Sequence, residues 1–257
     1  MDKNKKKKTS IIISRFRGWI QAGAALLTNI HLPNFIKGSI YQGKGKAVCV
    51  PGLNCYSCPA AAGACPIGAF QAVVGASKFR FSYYISGFLI LIGVLLGRFV
   101  CGFLCPFGWL QDLLHKIPCK KFSTMKLKPL RWIKYIVLLF AVILLPAFLV
   151  NDVGMSDPIF CKYICPQGVL EGAIPLAIVN EGIRQALGAL FTRKLIILLV
   201  IVVLSILFYR PFCKWICPLG AFYALMNKVS LLGIQVDDRR CISCGKCARV
   251  CKMDVDI

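Results

Sequence analysis

Fifteen cysteines in 257 residues fall at spacings that suit thiolate ligation. The densest set is "CISCGKCARVC", which places Cys241, Cys244, Cys247 and Cys251 in one run. CxxCxxCxxxC is the spacing of the bacterial ferredoxin run. Its two-residue gaps wrap the backbone around a [4Fe–4S] cubane and turn N–H groups toward the sulfurs. Zinc sites more often use two CxxC pairs, or histidines at longer spacing. Lys252 stands where proline usually follows the fourth cysteine. In two-cluster ferredoxins that fourth cysteine serves the other cluster. Cys251 therefore either closes its own cluster or serves a second one whose run would follow Ile257.

A second phrase recurs along the chain. It reads "RFVCGFLCPFGWLQDL" at Arg98–Leu113, "PIFCKYICPQGVLEG" at Pro158–Gly172 and "RPFCKWICPLGAFYAL" at Arg210–Leu225. A half-matching copy, "GACPIGAFQAV", occupies Gly63–Val73. Helix positions i and i+4 share a face, so CxxxC sets two thiols side by side. Proline after the second cysteine suits the first turn of a new helix, and glycine loosens the corner. Each copy reads as a two-thiolate clip, and two clips supply the four ligands of one cubane. Cys101 with Cys105 and Cys213 with Cys217 are the natural pair. The plainer reading makes these cysteines small buried hydrophobes.

"CVPGLNCYSCPAAAGACP" adds Cys49, Cys55, Cys58 and Cys65. With Cys161 and Cys165 they make six, enough for a cluster and one cystine. Two disulfides, another metal, or a redox dithiol at Cys55 and Cys58 would also use this spacing. Cys119, among lysines, has no role to fill. His31 and His115 read as interfacial residues, and Trp109 and Trp215 as a membrane-interface belt. There is no CxxCH haem attachment, no phosphate loop and no GxGxxG.

The elements that must position these thiols are membrane helices. The chain is 58% hydrophobic, above the roughly 45–50% of soluble domains. The excess lies in runs at 81–100, 135–150 and 195–209, with a weaker one at 18–36. Spans need about 17–25 mostly apolar residues, and runs this continuous are helices rather than alternating barrel strands. The lysine-rich start resembles a signal peptide. Arg15 and Arg17 interrupt its apolar part, and "QAGAALL" continues it, so 18–36 reads as a span. "VNEGIRQALGAL" at Val179–Leu190 reads as a surface helix.

The net charge is +22, gathered before the first run, between the second and third, and after the fourth. The positive-inside rule then gives four spans with both termini in the cytoplasm. This bias calls for anionic lipid, not nucleic acid. The expected fold is an all-α integral membrane protein with a two-fold internal repeat. Residues 1–17 form a basic N-terminus and 18–225 the membrane domain, with an outer cysteine loop at 37–78. Residues 226–257 form a small ferredoxin-like segment. Cys49, Cys55, Cys58, Cys65, Cys161 and Cys165 fall outside. Cys101, Cys105, Cys119, Cys213, Cys217 and the ferredoxin run fall inside.

CxxxCP repeats at helix ends, followed by a ferredoxin run, resemble the NapH-type quinol-dehydrogenase membrane subunits and the membrane half of NosR-type flavoproteins. The resemblance covers about Cys49 to Cys251. Its firm matches are Cys101, Cys105, Cys161, Cys165, Cys213, Cys217 and the ferredoxin cysteines. A third CxxxCP and a single ferredoxin run depart from the usual two of each. The resemblance implies [4Fe–4S] clusters, one in the ferredoxin run and one or two in the clips, with no haem. It implies electron relay between the quinol pool, or a soluble ferredoxin- or flavodoxin-type donor, and an extracytoplasmic flavoprotein or reductase. Arg239, Arg240, Lys246 and Arg249 would offer an acidic donor a docking face. Three rivals stand beside this: a copper-reducing assembly factor, a transmembrane thiol–disulfide carrier, and a zinc-stabilised scaffold.

Overall fold

The computed structural model describes residues 3–76, 82–149 and 156–233, and of the C-terminal run residues 241, 242, 244, 245, 247 and 251–253. For residues 3–15 and 125–126 it describes the backbone alone. Arg239, Arg240, Lys246 and Arg249 lie outside the described residues. Among those described there is no strand; one isolated bridge pairs Cys49 with Ala64.

Two helices are long and apolar enough to cross a bilayer, α6 at Leu127–Phe148 and α9 at Ala189–Leu207. Only 17% of the α9 window is buried in the protein, and Ile196, Leu199, Val200 and Val203 face outward. A soluble core helix would hide such a surface; a lipid-facing one need not. Both helices begin earlier than the apolar runs. Lys194 is accommodated in α9 because its ammonium donates to Cys161 O at 3.0 Å.

The other two expected spans are broken. α1 runs from Lys3 to Thr28 without interruption at residue 17, and the chain then turns before the short helix Asn34–Lys37. The outer loop caps α1: Ala62 N–H donates to Thr28 O at 2.9 Å and the Asn54 amide at 3.2 Å. α2 is Pro66–Gly75. α3, Tyr83–Leu96, has 14 residues, ~21 Å of helix against a hydrocarbon core of ~30 Å. It ends at Gly97, whose φ of +50° and contact with Ser230 and Asn227 suit glycine alone. Broken helices of this kind persist at membrane depth only where protein surrounds them. Here the surroundings are the repeats themselves.

Each full repeat is a short helix, a corner and a second helix. α4 (Phe99–Phe103) leads to α5 (Pro106–Leu114), and α7 (Phe160–Ile164) to α8 (Gly168–Val179). α10 (Pro211–Trp215) leads to α11 (Pro218–Met226). α6 packs on α2 and α11, the outgoing helices of the first and fourth copies. α9 packs on α5 and α8, those of the second and third. One apolar core, including Leu53, Phe107, Phe160, Phe212, Leu219 and Tyr223, joins all four copies. Glu181–Gln185 is exposed, as a surface helix should be. Trp215 is not in an interface belt: it is buried against Phe208.

Candidate iron–sulfur centre

The clip has one local geometry, repeated. The N–H of its second cysteine bonds five residues back: Cys105 to Val100 O, Cys165 to Phe160 O and Cys217 to Phe212 O, at 2.9–3.1 Å. This wide turn closes the first helix around both cysteines. The following proline then forces the second cysteine out of the helical region. Cys65, Cys105, Cys165 and Cys217 have ψ between 113° and 126°, and the three followed by assigned α-helices cap them with proline in the first turn. Each sulfur therefore sits at a helix start, where free N–H groups gather. Gly220 N–H donates to Cys217 Sγ at 3.4 Å.

The glycine three residues past the cysteine does not loosen the corner. It lies within the outgoing helix and leaves space. A Cβ on Gly68 would come 3.6 Å from Cys161 Sγ, one on Gly168 3.7 Å from Cys55 Sγ, and one on Gly220 3.7 Å from Cys217 Sγ.

The copies pair first with third and second with fourth. Cys101, Cys105, Cys213 and Cys217 interact electrostatically as one inner group. Cys55, Cys65, Cys161 and Cys165 form an outer one. The first copy has Ala61 where the others have their first cysteine, and Cys55 joins the group in its stead. Cys49 and Cys58 stand aside. Cys49 lies at the bridge to Ala64, and Cys58 is buried with Ala60 and Ala61 while still facing Cys55. The groups are not separated by a membrane's thickness. A Cβ on Gly52, in the outer loop, would stand 3.0 Å from Cys105 Cα. Cys65 interacts with Cys105, and buried Tyr223, its hydroxyl donating to Pro51 O at 2.9 Å, faces thiols of both.

A model of the 4Fe-4S binding domain matches residues 63–84, 81–124, 134–174 and 190–235, more than half of the chain. The chain belongs to this 4Fe–4S binding family. Each matched segment holds one copy of the repeat, and the run from Cys241 to Cys251 lies outside them. MJ0750 of Methanocaldococcus jannaschii, an uncharacterized protein, is 26% identical over 66% of this chain and 64% of its own length. The putative electron transport protein YccM of Escherichia coli K12 is 27% identical, over 65% of this chain and 45% of YccM. The regulatory protein NosR of Pseudomonas aeruginosa is 29% identical, over 64% of this chain and 21% of NosR. The chain thus spans only part of these relatives. No solved structure matches it. The resemblance read from the CxxxCP repeats is borne out.

The residues of this 4Fe–4S protein fit the cluster. Glycine clears the space, and N–H groups point at sulfur. Burial pushes Cys55 up to about 11 and Cys58 up to about 12, so these thiols hold protons until a cation replaces them. A cavity of about 660 Å³ adjoins the outer group, lined by Cys49, Cys55, Cys65, Cys161, Cys165 and Lys194.

Sequence reasoning missed the residue six places after each capping cysteine. Aligning the copies would have found it, as Gln71, Gln111, Glu171 and Tyr223. Two of them reach the first cysteine of the partner copy, and a third reaches Cys55, which stands in for the missing one. Gln71 contacts Cys161, Gln111 contacts Cys213, and Glu171 accepts from Cys55 N–H at 3.2 Å. Burial raises the Glu171 carboxyl to about 7, against the opposing pull of that bond. Charge is also arranged around the inner group. Arg210, buried and at φ +50°, donates to both Asp112 oxygens at 2.7 and 2.5 Å and to Cys101 O at 2.7 Å. Arg17 binds the same carboxylate and the Tyr209 hydroxyl.

In the ferredoxin run, Cys241, Cys244 and Cys247 are exposed and Cys251 half-buried. Cys251 N–H donates to Cys247 O at 3.1 Å, and buried Lys214 donates to Lys252 O at 3.1 Å, docking the run beside the fourth copy. Cys119 is exposed. His31 stacks on Tyr41 and His115 meets Tyr209 edge-on; neither joins a thiol group.

Proposed function

We propose that this chain is a multi-pass membrane protein with both termini cytoplasmic, crossing the bilayer at 135–150 and 195–209, with 18–36 and 81–100 entering it as broken helices that bring the loop and the repeats together. It relays electrons between the quinol pool, or a soluble ferredoxin- or flavodoxin-type donor, and an extracytoplasmic flavoprotein or reductase. The name of YccM, a putative electron transport protein, supports this class. In this reading Cys101, Cys105, Cys213 and Cys217 ligate one cluster, and Cys55, Cys65, Cys161 and Cys165 a second. Cys241, Cys244, Cys247 and Cys251 serve a third in the 226–257 segment. Bound there, a cubane supplies one-electron chemistry at a potential set by hydrogen bonds to sulfur, nearby charge and burial.

The contact among Gly52, Cys105 and Tyr223 carries the reading. It brings the two buried thiol groups into one core, so no membrane-thick gap has to be crossed between them. The chain's own residues hold the thiolates, exclude water with the shared apolar core, and present Arg210 beside the inner group. Thiol–disulfide exchange fits less well, because burial disfavours the thiolates at Cys55 and Cys58 that exchange needs. A copper-reducing assembly role uses the same clusters and differs only in its acceptor.

The test is iron, sulfide and zinc per chain on protein purified without oxygen, with EPR before and after dithionite. About eight or more irons, falling by about four in Cys213→Ser, are expected. About four irons, unchanged in Cys213→Ser, would confine the chemistry to the ferredoxin run and end the relay reading.

A further inference from the structure

We infer that Gln71 and Gln111 are positioning residues that tune one cluster each, by donating a side-chain N–H to the sulfur of Cys161 and of Cys213. The inference rests on the cluster assignment above. Gln71 Nε2 lies 3.3 Å from Cys161 Sγ, and its Oε1 accepts from Phe160 N–H at 2.9 Å. Gln111 Nε2 lies 3.1 Å from Cys213 Sγ, and its Oε1 accepts from Phe212 N–H at 3.2 Å. Each Nε2 also donates to the carbonyl four residues back, Gln71 to Ile67 O at 3.3 Å and Gln111 to Phe107 O at 3.4 Å, so the two amides make the same three contacts at the same place in different copies.

The backbone fixes which end of each amide meets sulfur. A peptide N–H can only donate, so Oε1 must face Phe160 or Phe212, and Nε2 is left for the cysteine. Both side chains are at most 1% exposed. A buried amide costs about 1–3 kcal/mol unless its groups are bonded, so packing alone would favour leucine or methionine here. What an amide adds is a donor at a ligand sulfur. Reduction places more negative charge on that sulfur, so the N–H bond strengthens in the reduced state and raises the potential.

Gln→Met removes the donor at nearly the same volume and adds no charge. In Gln111→Met the inner cluster should keep its iron and sulfide and move to lower potential in an EPR-monitored redox titration, while the outer cluster stays put. Gln71→Met should do the reverse. A residue that merely fills the core would move neither potential. Full clusters with both potentials unmoved overturn the inference and leave the relay reading standing. Wild-type protein without iron in either thiol group overturns both. Should a variant lose its cluster, wild-type protein carrying ¹⁵N at the glutamine amides decides. Pulsed EPR of the reduced clusters should show nitrogen coupling to each, and its absence overturns the inference.

Discussion

The inner and outer thiol groups are built from the same repeat, yet they are finished differently. The inner group takes all four cysteines from two complete clips and is braced by Arg210, Asp112 and Arg17. The outer group has one complete clip, replaces the missing cysteine with Cys55 from a loop, and adjoins a cavity of about 660 Å³. A repeat that is complete and ion-paired fixes its thiols through charged side chains. A repeat that borrows from a loop gains an opening. In the relay proposed here, the outer group is where a partner or a small carrier can approach, and the inner one is an internal station.

That contrast is broken most severely at Cys55. Cys55→Ser should remove about four irons and leave the inner group's EPR signal intact, while Cys49→Ser and Cys58→Ser should keep full iron. The double variant Cys55→Ser with Ala61→Cys should not recover the loss. Ala61 occupies the repeat position of Cys101 but lies in irregular backbone rather than a wide helical turn. Recovery of four irons in the double variant would mean that the loop is dispensable and the copies are equivalent.

The next largest effect belongs to the brace. Asp112→Ala leaves Arg210 buried without its carboxylate, which costs about 3–5 kcal/mol when a buried pair is broken from one side. Detergent-solubilised protein should unfold at lower temperature and lose inner iron to a chelator first. The other copies carry Ala72, Gly172 and Ala224 at this position, so the outer group has no such dependence. Equal loss from both groups would show that the brace stabilises the whole membrane domain.

Much of this was legible beforehand. The CxxxCP phrase announces its own geometry, because proline both stops one helix and starts the next, and i, i+4 spacing sets the thiols together. The pairing of Cys101 and Cys105 with Cys213 and Cys217 followed from their equivalent positions. The outer group was not legible. Six cysteines stood available, and the choice of Cys55 over Cys49 and Cys58 depends on a loop path with no periodicity. The breaks after Thr28 and at Gly97 were hidden for a related reason. Hydropathy registers apolar residues whether they continue a span or line a buried corner, so it overstated the length of continuous helix. Gln71 and Gln111 were visible only by aligning the copies past their glycines.

Where the two groups meet, a smaller perturbation should act on communication rather than content. Gly52→Val would press branched carbon against the Cys105 backbone, and overpacking of this kind costs about 1–3 kcal/mol. Both clusters should still assemble, with slower equilibration between them after rapid single-electron reduction. Unchanged equilibration in a fully loaded variant would place the route elsewhere.

The smallest effect sharpens the comparison through charge. Arg210 is paired with Asp112 as well as facing Cys101 and Cys213, whereas the Lys194 ammonium donates to Cys161 O and interacts with Cys161 and Cys55. A cation facing thiolates favours the more negative, reduced state. Lys194→Met should therefore lower the outer potential alone, by ~59 mV if the lost interaction is one tenfold step in a one-electron equilibrium. Redox titration separates the outcomes. A shift of the outer cluster alone makes Lys194 the counterpart of the inner brace, acting on potential instead of stability. A shift of both would mean that the Cys65–Cys105 contact couples the groups strongly enough for a charge beside one to be felt at the other, and the braced-against-open contrast would then describe one centre of two clusters.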